Sequence, residues 1–328
     1  MQLTSPETAP KDGDSICETC RNIKFHDLIR NPRQAENPWD AIVPSPHTMR
    51  YVIDCKLCRL MFRDVPPRYM EKELELRSYS FKRISSWARD TSSNSLDAND
   101  SVSLKVGLQH TSGFHSFSDK DVFCKLAKNT SQGSCRAQPV QGIWDCVKAR
   151  SWLQTCASFH GSWCKEEVLQ VPGMNLIDCE NMVIVKVVKG MRWLALSYVW
   201  GMNPQSENDA GYRAGSSISS DIPRTVKDAI SVTQQLGYRY LWVDEYCIDQ
   251  NDSNHRNDQI NRMDEIYRGA DLTIVAAAGE NKMHGLPGVR STKRKEVEAI
   301  CVDDVVVFSN GPEPHHQAKQ SVWFTRAW

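Results

Sequence analysis

The sequence carries no net charge: 40 basic and 40 acidic side chains cancel over 328 residues. That excludes a nucleic-acid binder held by bulk positive charge, and equally an acidic chain too self-repelling to collapse. It has no stretch near the ~20 apolar residues of a membrane-spanning helix. Between Met1 and Asp14 no apolar run follows a basic start, so no secretory signal is expected and the cytoplasm is the expected compartment. There is no Walker loop, no strand followed by Gly-x-Gly-x-x-Gly and no Gly-x-Ser-x-Gly elbow, which removes the common signatures of phosphate cradles and serine hydrolases. No internal repeat appears. What remains, with 40% apolar and 24% charged residues, is an ordinary globular composition.

Cysteine is the exception. There are twelve, and ten precede residue 180. In a chain expected in a reducing compartment, metal ligation or buried thiols explain them better than a disulfide framework. Cys17 and Cys20 form one Cys-x-x-Cys pair, and Cys55 and Cys58 a second. Two such knuckles can supply four thiolates in tetrahedral array, the arrangement of a structural zinc site. The separation of the pairs is longer than in the usual zinc ribbon, and four buried thiols packing as small hydrophobes is the competing reading. Cys156, His160 and Cys164 stand at i, i+4 and i+8, so on a continuous helix they share a face and form a second metal candidate. Gly161 interrupts that helix, and a buried face with a satisfied histidine is the preferred reading there.

Along the chain, residues 1–15 read as a disordered tail. Residues 16–180 read as an irregular, cysteine-rich α+β region, with a disordered linker near 90–103 and little pattern from Gly113 to Gly142. Order returns from Ile143, where Trp144, Val147, Trp152 and Leu153 suggest a helix leading into Cys156, and strands are expected at Met182–Val188, Trp193–Tyr198, Tyr240–Asp244, Leu272–Ala278 and Val305–Phe308. A helix is expected over Ile222–Gly237 and another around Ile260–Tyr267, with Asp249–Asn257 as a polar turn. Short apolar strands alternating with helices predict an α/β domain over 181–328, with a parallel sheet flanked by helices. Ligands of such sheets sit beyond the carboxyl ends of the strands. That points to Ser197–Gly201, Asp244–Asp249 and Ala278–Asn281.

Several blocks in this region resemble the fungal heterokaryon-incompatibility (HET) domain. They are Leu194-Ala-Leu-Ser-Tyr-Val-Trp-Gly201, Ile222-Pro-Arg-Thr-Val-Lys-Asp-Ala-Ile230, Tyr240-Leu-Trp-Val-Asp-Glu-Tyr-Cys-Ile-Asp-Gln250 and Met263 to Ala277. Gly285-Leu-Pro-Gly288 and Arg326-Ala-Trp328 follow in the family's order. The two cysteine pairs resemble the region that often precedes this domain. The resemblance implies allorecognition: growth arrest or cell death when genetically different hyphae fuse. It also implies a TIR-like parallel sheet, protein partners including a second copy of the chain, and, in a rival reading, NAD cleavage or nucleotide binding. The family pattern continues past its Arg-x-Trp into Gln-Glu, so a C-terminally truncated domain is expected here.

Within the predicted pocket, Asp244, Glu245 and Asp249 could bind a ribose or a cation or act as acid and base, or they could serve as turn caps and surface charges. Ser197 is a weak nucleophile candidate, since no elbow surrounds it. Trp200 and Gly201 shape the loop after the first strand. No basic stripe with interleaved aromatics exists, so no nucleic-acid partner is expected.

Overall fold

The computed structural model describes residues 16–30, 47–80, 101–110, 113–117, 122–126, 138–159, 171–201, 212–309 and 314–325. The tail 1–15 lies outside them. The chain divides into two compact units, neither contiguous in sequence: Met1–Val140 with Glu296–Glu313, and Gln141–Lys295 with Pro314–Trp328.

The first unit is built on an antiparallel sheet. Its strands are β1 (His47–Met49), β2 (Leu74–Ser80), β3 (Ser101–His110), β4 (Gly113–Ser116) and β5 (Val122–Leu126), joined by two strands from much later in the sequence, β11 (Ala299–Val302) and β12 (Val305–Ser309). The order is β1-β2-β3-β5-β12-β11, with β4 also on β3. Alternation decides the buried face: Leu74 and Leu76, Val102, Leu104 and Val106, and Val305 and Val307 all point to one core. Helices α1 (Glu18–Arg21), α2 (Phe25–Arg30) and α3 (Lys56–Met61) contribute Phe25, Ile29, Leu57 and Leu60 to it.

Three expectations change here. Among the described residues up to Leu126, the region forms a regular antiparallel sheet with three short α-helices rather than an irregular fold. Its strands β4 and β5 fall within the weakly patterned Gly113–Gly142 stretch, and Ser101–Ser103, expected in the linker, begin β3, while 90–100 lie outside the described residues. The strand at Val305–Phe308, expected in the parallel sheet, pairs instead with β5, antiparallel, with Val307 opposite Cys124. A continuous apolar run announces a buried strand but says nothing of its neighbour.

The second unit holds a five-stranded mixed sheet in the order β10-β8-β9-β6-β7, where β6 is Asn175–Asp178, β7 Val183–Lys186, β8 Trp193–Ser197, β9 Tyr240–Val243 and β10 Leu272–Val275. β8 pairs in parallel with β9 and β10. β6 and β7 are antiparallel additions, so the sheet is not purely parallel. Every residue of β8 is buried, as are Leu241, Trp242 and Val243, which requires cover on both faces. β6 and helix α4 (Cys146–Phe159) belong to this unit although they precede the expected boundary at 180. A helix near α4 is legible from its apolar spacing, whereas β6 was not among the expected strands, and neither segment's local pattern reveals which core it serves.

Helix α5 (Arg224–Gln235) starts after Pro223 and ends before Gly237, which takes φ +86°. It buries Val226, Ala229, Ile230 and Thr233 against β8 and β9. β9 runs directly into a single helical turn, α6 (Asp244–Cys247). The expected polar turn is instead helix α7 (Ser253–Asn261), because the Asp252 carboxylate caps it by accepting from Asn254 N and His255 N at 3.0 Å each. Then come α8 (Met263–Gly269), which sets Tyr267 edge-on to Trp242 with centroids 5.2 Å apart, and a short last helix, α9 (Pro314–Lys319). No helix among the described residues is long and apolar enough to cross a membrane.

Candidate functional site

The parallel strands of the second unit bring three of the predicted residue groups together. Ser197, the last residue of β8, stands opposite Val275 at the end of β10, while Leu196 stands opposite Val243, one residue before Asp244. Ser197, Asp244 and Glu245 therefore meet at one end of the sheet, as the strand-end rule requires.

Each of these side chains has an internal partner. Asp244, 6% exposed, accepts at Oδ1 from the Trp200 indole Nε1 at 3.1 Å and from the Glu245 amide at 2.8 Å. Glu245 Oε2 accepts from the Tyr198 hydroxyl at 2.6 Å, and Oε1 sits 2.5 Å from Lys282 Nζ. The Glu245 and Lys282 side chains are only 14% and 13% exposed, so this ion pair is largely removed from water. Burial, with the Asp244 and Glu245 carboxylates beside it, pushes the Tyr198 phenol well up, keeping it a proton donor. Ser197 Oγ accepts from the Trp323 indole Nε1 at 2.8 Å. Asp249 lies in the next turn, where its carboxylate accepts from Asn251 N at 3.0 Å.

Trp200 and Gly201 place the loop. Gly201 has φ +81°, and a Cβ there would stand 2.5 Å from Asn281 Cβ, so only glycine fits. The Lys282 amide donates to the Trp200 carbonyl at 3.3 Å, and the Lys282 carbonyl accepts from Thr225 N at 3.1 Å. The segment after β10 is thus tied to the loop after β8 and to the start of α5.

Several members of this network carry no sequence signal. Lys282 falls one residue beyond the predicted strand-end window, and Trp323 is 126 residues from its partner. Asp228 is a third case. It is 1% exposed in α5, and its Oδ2 accepts from Leu286 N at 2.9 Å and Thr292 Oγ1 at 2.7 Å. Thr225 Oγ1 accepts from Gly285 N at 3.0 Å. Together they dock the Gly285-Leu-Pro-Gly288 turn. Helical spacing sets Asp228 away from the stripe of Val226, Ala229, Ile230 and Thr233, so its burial has no signal in the periodicity.

The first unit holds the second candidate. Cys17 caps α1 and Cys20 lies in it; Cys55 caps α3 and Cys58 lies in its first turn. The four sulfurs lie within 4.8 Å of one another. Cys58 Sγ is 3.7 Å from Cys17 Sγ and 3.5 Å from Cys20 Sγ. A tetrahedron of 2.3 Å zinc–sulfur bonds has edges of about 3.8 Å, so the thiols already stand near ligand spacing. The amides of Cys17 and Cys58 donate to Cys55 Sγ at 3.3 and 3.4 Å, the kind of N–H···S support that thiolates need. The hydrogen bond from Cys20 holds the Cys58 thiol down to about 6, and pushes Cys20 up. The four cysteines can hold a metal ion.

The third candidate is only partly described. Cys156 lies in α4, and His160 and Cys164 fall outside the described residues.

Residues 193–328 match the family model described as Heterokaryon incompatibility protein (HET). No curated protein and no solved structure matches the chain.

Proposed function

The chain is a HET domain-containing protein, and from that premise we propose that it signals non-self recognition in fungal vegetative incompatibility, through self-association or binding of a protein partner that leads to growth arrest or cell death. The observation that carries this reading over catalysis is the closure of the strand-end cluster. Ser197, Asp244 and Glu245 are each bound to a tryptophan, a tyrosine or a lysine of the same unit. These bonds knit together the ends of β8 and β9, the segment after β10 and Trp323. Such a cluster builds a stable surface.

The TIR-like comparison draws support from the parallel core. Its strands follow the order second, first, third in sequence, which is how the flavodoxin-like order 2-1-3-4-5 begins. The rival reading makes Glu245 the working carboxylate of an NAD-cleaving or nucleotide-binding site. It is less well supported, because both carboxylate oxygens are already engaged. For the cysteine cluster, the ion that fits four thiolates at these spacings is zinc, in a closed structural site that supplies folding energy rather than chemistry. The protein acts in the cytoplasm, where such thiols stay reduced.

The test is expression of the full chain in a fungal host, with growth scored, alongside light scattering of the purified protein and incubation with NAD. Growth arrest together with concentration-dependent dimers or larger species is expected, without release of nicotinamide. A chain that neither arrests growth nor associates, but cleaves NAD and loses that activity in Glu245→Gln, would overturn the signalling reading in favour of its rival.

A further inference from the structure

The span that matches the HET family does not fold as one body. Residues 299–309 lie inside it, yet their hairpin, β11–β12, completes the sheet of the cysteine-bearing unit. A two-stranded hairpin is marginal in water by itself. This one is held by pairing along β5 and by burying Ile300, Val305 and Val307 in the same apolar cluster as Cys20, Cys55 and Cys58. α3, which presents Cys55 and Cys58, packs directly on β12. Two polar ties add to this: His26 Nε2 of α2 to Asp304 Oδ1, between β11 and β12, at 2.6 Å, and Arg63, two residues past α3, to Glu298, just before β11, at 3.4 Å. These pairs are half-exposed and contribute little. The apolar contact carries the coupling.

The helices that bring the thiols together have four and six residues, far below the length at which a helix persists in isolation. Their positions depend on what they pack against. A metal drawn to all four sulfurs would tie α1 to α3 and so fix the position of α3, which packs under β12. We infer that metal binding at Cys17, Cys20, Cys55 and Cys58 and docking of the β11–β12 hairpin are thermodynamically linked, so that the metal controls whether this part of the HET region is held in the sheet. The inference rests on the zinc reading of the cluster. Linkage is reciprocal: if zinc tightens the hairpin, loosening the hairpin weakens zinc.

Hydrogen exchange on the full-length chain, zinc-loaded and then stripped with a chelator, tests this. On removal of zinc, the amides of Ile300–Val302 and Val305–Ser309 should exchange about tenfold faster or more, while those of Trp193–Ser197 and Tyr240–Val243 keep their protection. Reciprocally, Val307→Asp, which sets a charge in the buried face of β12, should weaken zinc about tenfold in competition with a chromophoric chelator, with protection of β8 and β9 confirming that the second unit is intact. Zinc bound at one per chain with hairpin exchange unchanged on its removal would overturn the linkage alone. A chain that neither carries nor takes up zinc would overturn the metal reading and the linkage together.

Discussion

At the end of β6, the Asp178 side chain is 3% exposed and accepts from Arg239 through Nε at 3.1 Å and a terminal nitrogen at 2.6 Å. Asn181 and the Glu180 amide add to this. The Arg239 guanidinium is the main reason the carboxyl falls from 3.8 to about 2. A carboxylate with a depressed pKa stabilises the fold fully above its unfolded value, and that stability is lost as pH falls through the folded one. The stability gap between the parent and Asp178→Asn should therefore be constant above about pH 5 and shrink by about 1 kcal/mol by pH 2, a value lowered for the solvent around Arg239. Urea titrations at stepped pH read this directly; a gap that does not change with pH would show that the pair stores no such energy. At this scale the sequence was a partial guide. Ser197, Asp244 and Glu245 could be placed at strand ends because strand boundaries follow from local pattern. Lys282 and Trp323 could not, because a hydrogen bond between residues 37 or 126 positions apart leaves no local periodicity.

At the scale of the element, α5 shows how a helix can be legible while its role is not. Val226, Ala229, Ile230 and Thr233 recur at helical spacing and are buried as the period requires. Asp228, on the same helix, is equally buried because it organises the turn after β10. Asp228→Ala leaves Leu286 N and Thr292 Oγ1 without their acceptor, and is expected to cost about 2–3 kcal/mol. The Leu286 amide should lose exchange protection while amides within α5 keep theirs, and equal loss in both would mean general unfolding rather than release of the turn. β12 makes the complementary point. Its apolar run identified a buried strand, and only the pairing with β5 assigned it to the cysteine-bearing unit.

For the whole molecule, the consequence is a chain that crosses from the first unit to the second, returns for one hairpin, and crosses again. A fragment starting at Trp193 would carry β11 and β12 without β5, leaving the hairpin its weakest state. The cysteine-bearing unit is therefore part of the structural context of the HET region. Purified full-length protein is expected to contain one zinc per chain by elemental analysis, and Cys55→Ser to lose it together with several degrees of thermal stability. Metal-free parent protein with unchanged melting after added zinc would leave the four thiols as core packing.

The sequence by itself marked the main strands and helices of the parallel core, the HET-like blocks within residues 193–328 and the chemistry available. Apolar periodicity marks which faces are buried, glycine and proline mark where helices stop, and paired cysteines mark a soft-metal donor set. Only the tertiary structure decided that the parallel sheet carries two antiparallel strands, that 299–309 completes another unit's sheet, and that the strand-end carboxylates are tied up internally. The reason is physical. Burial is a property of each segment and is written in its residues, whereas the choice of neighbour is settled by competition among all the faces that need covering.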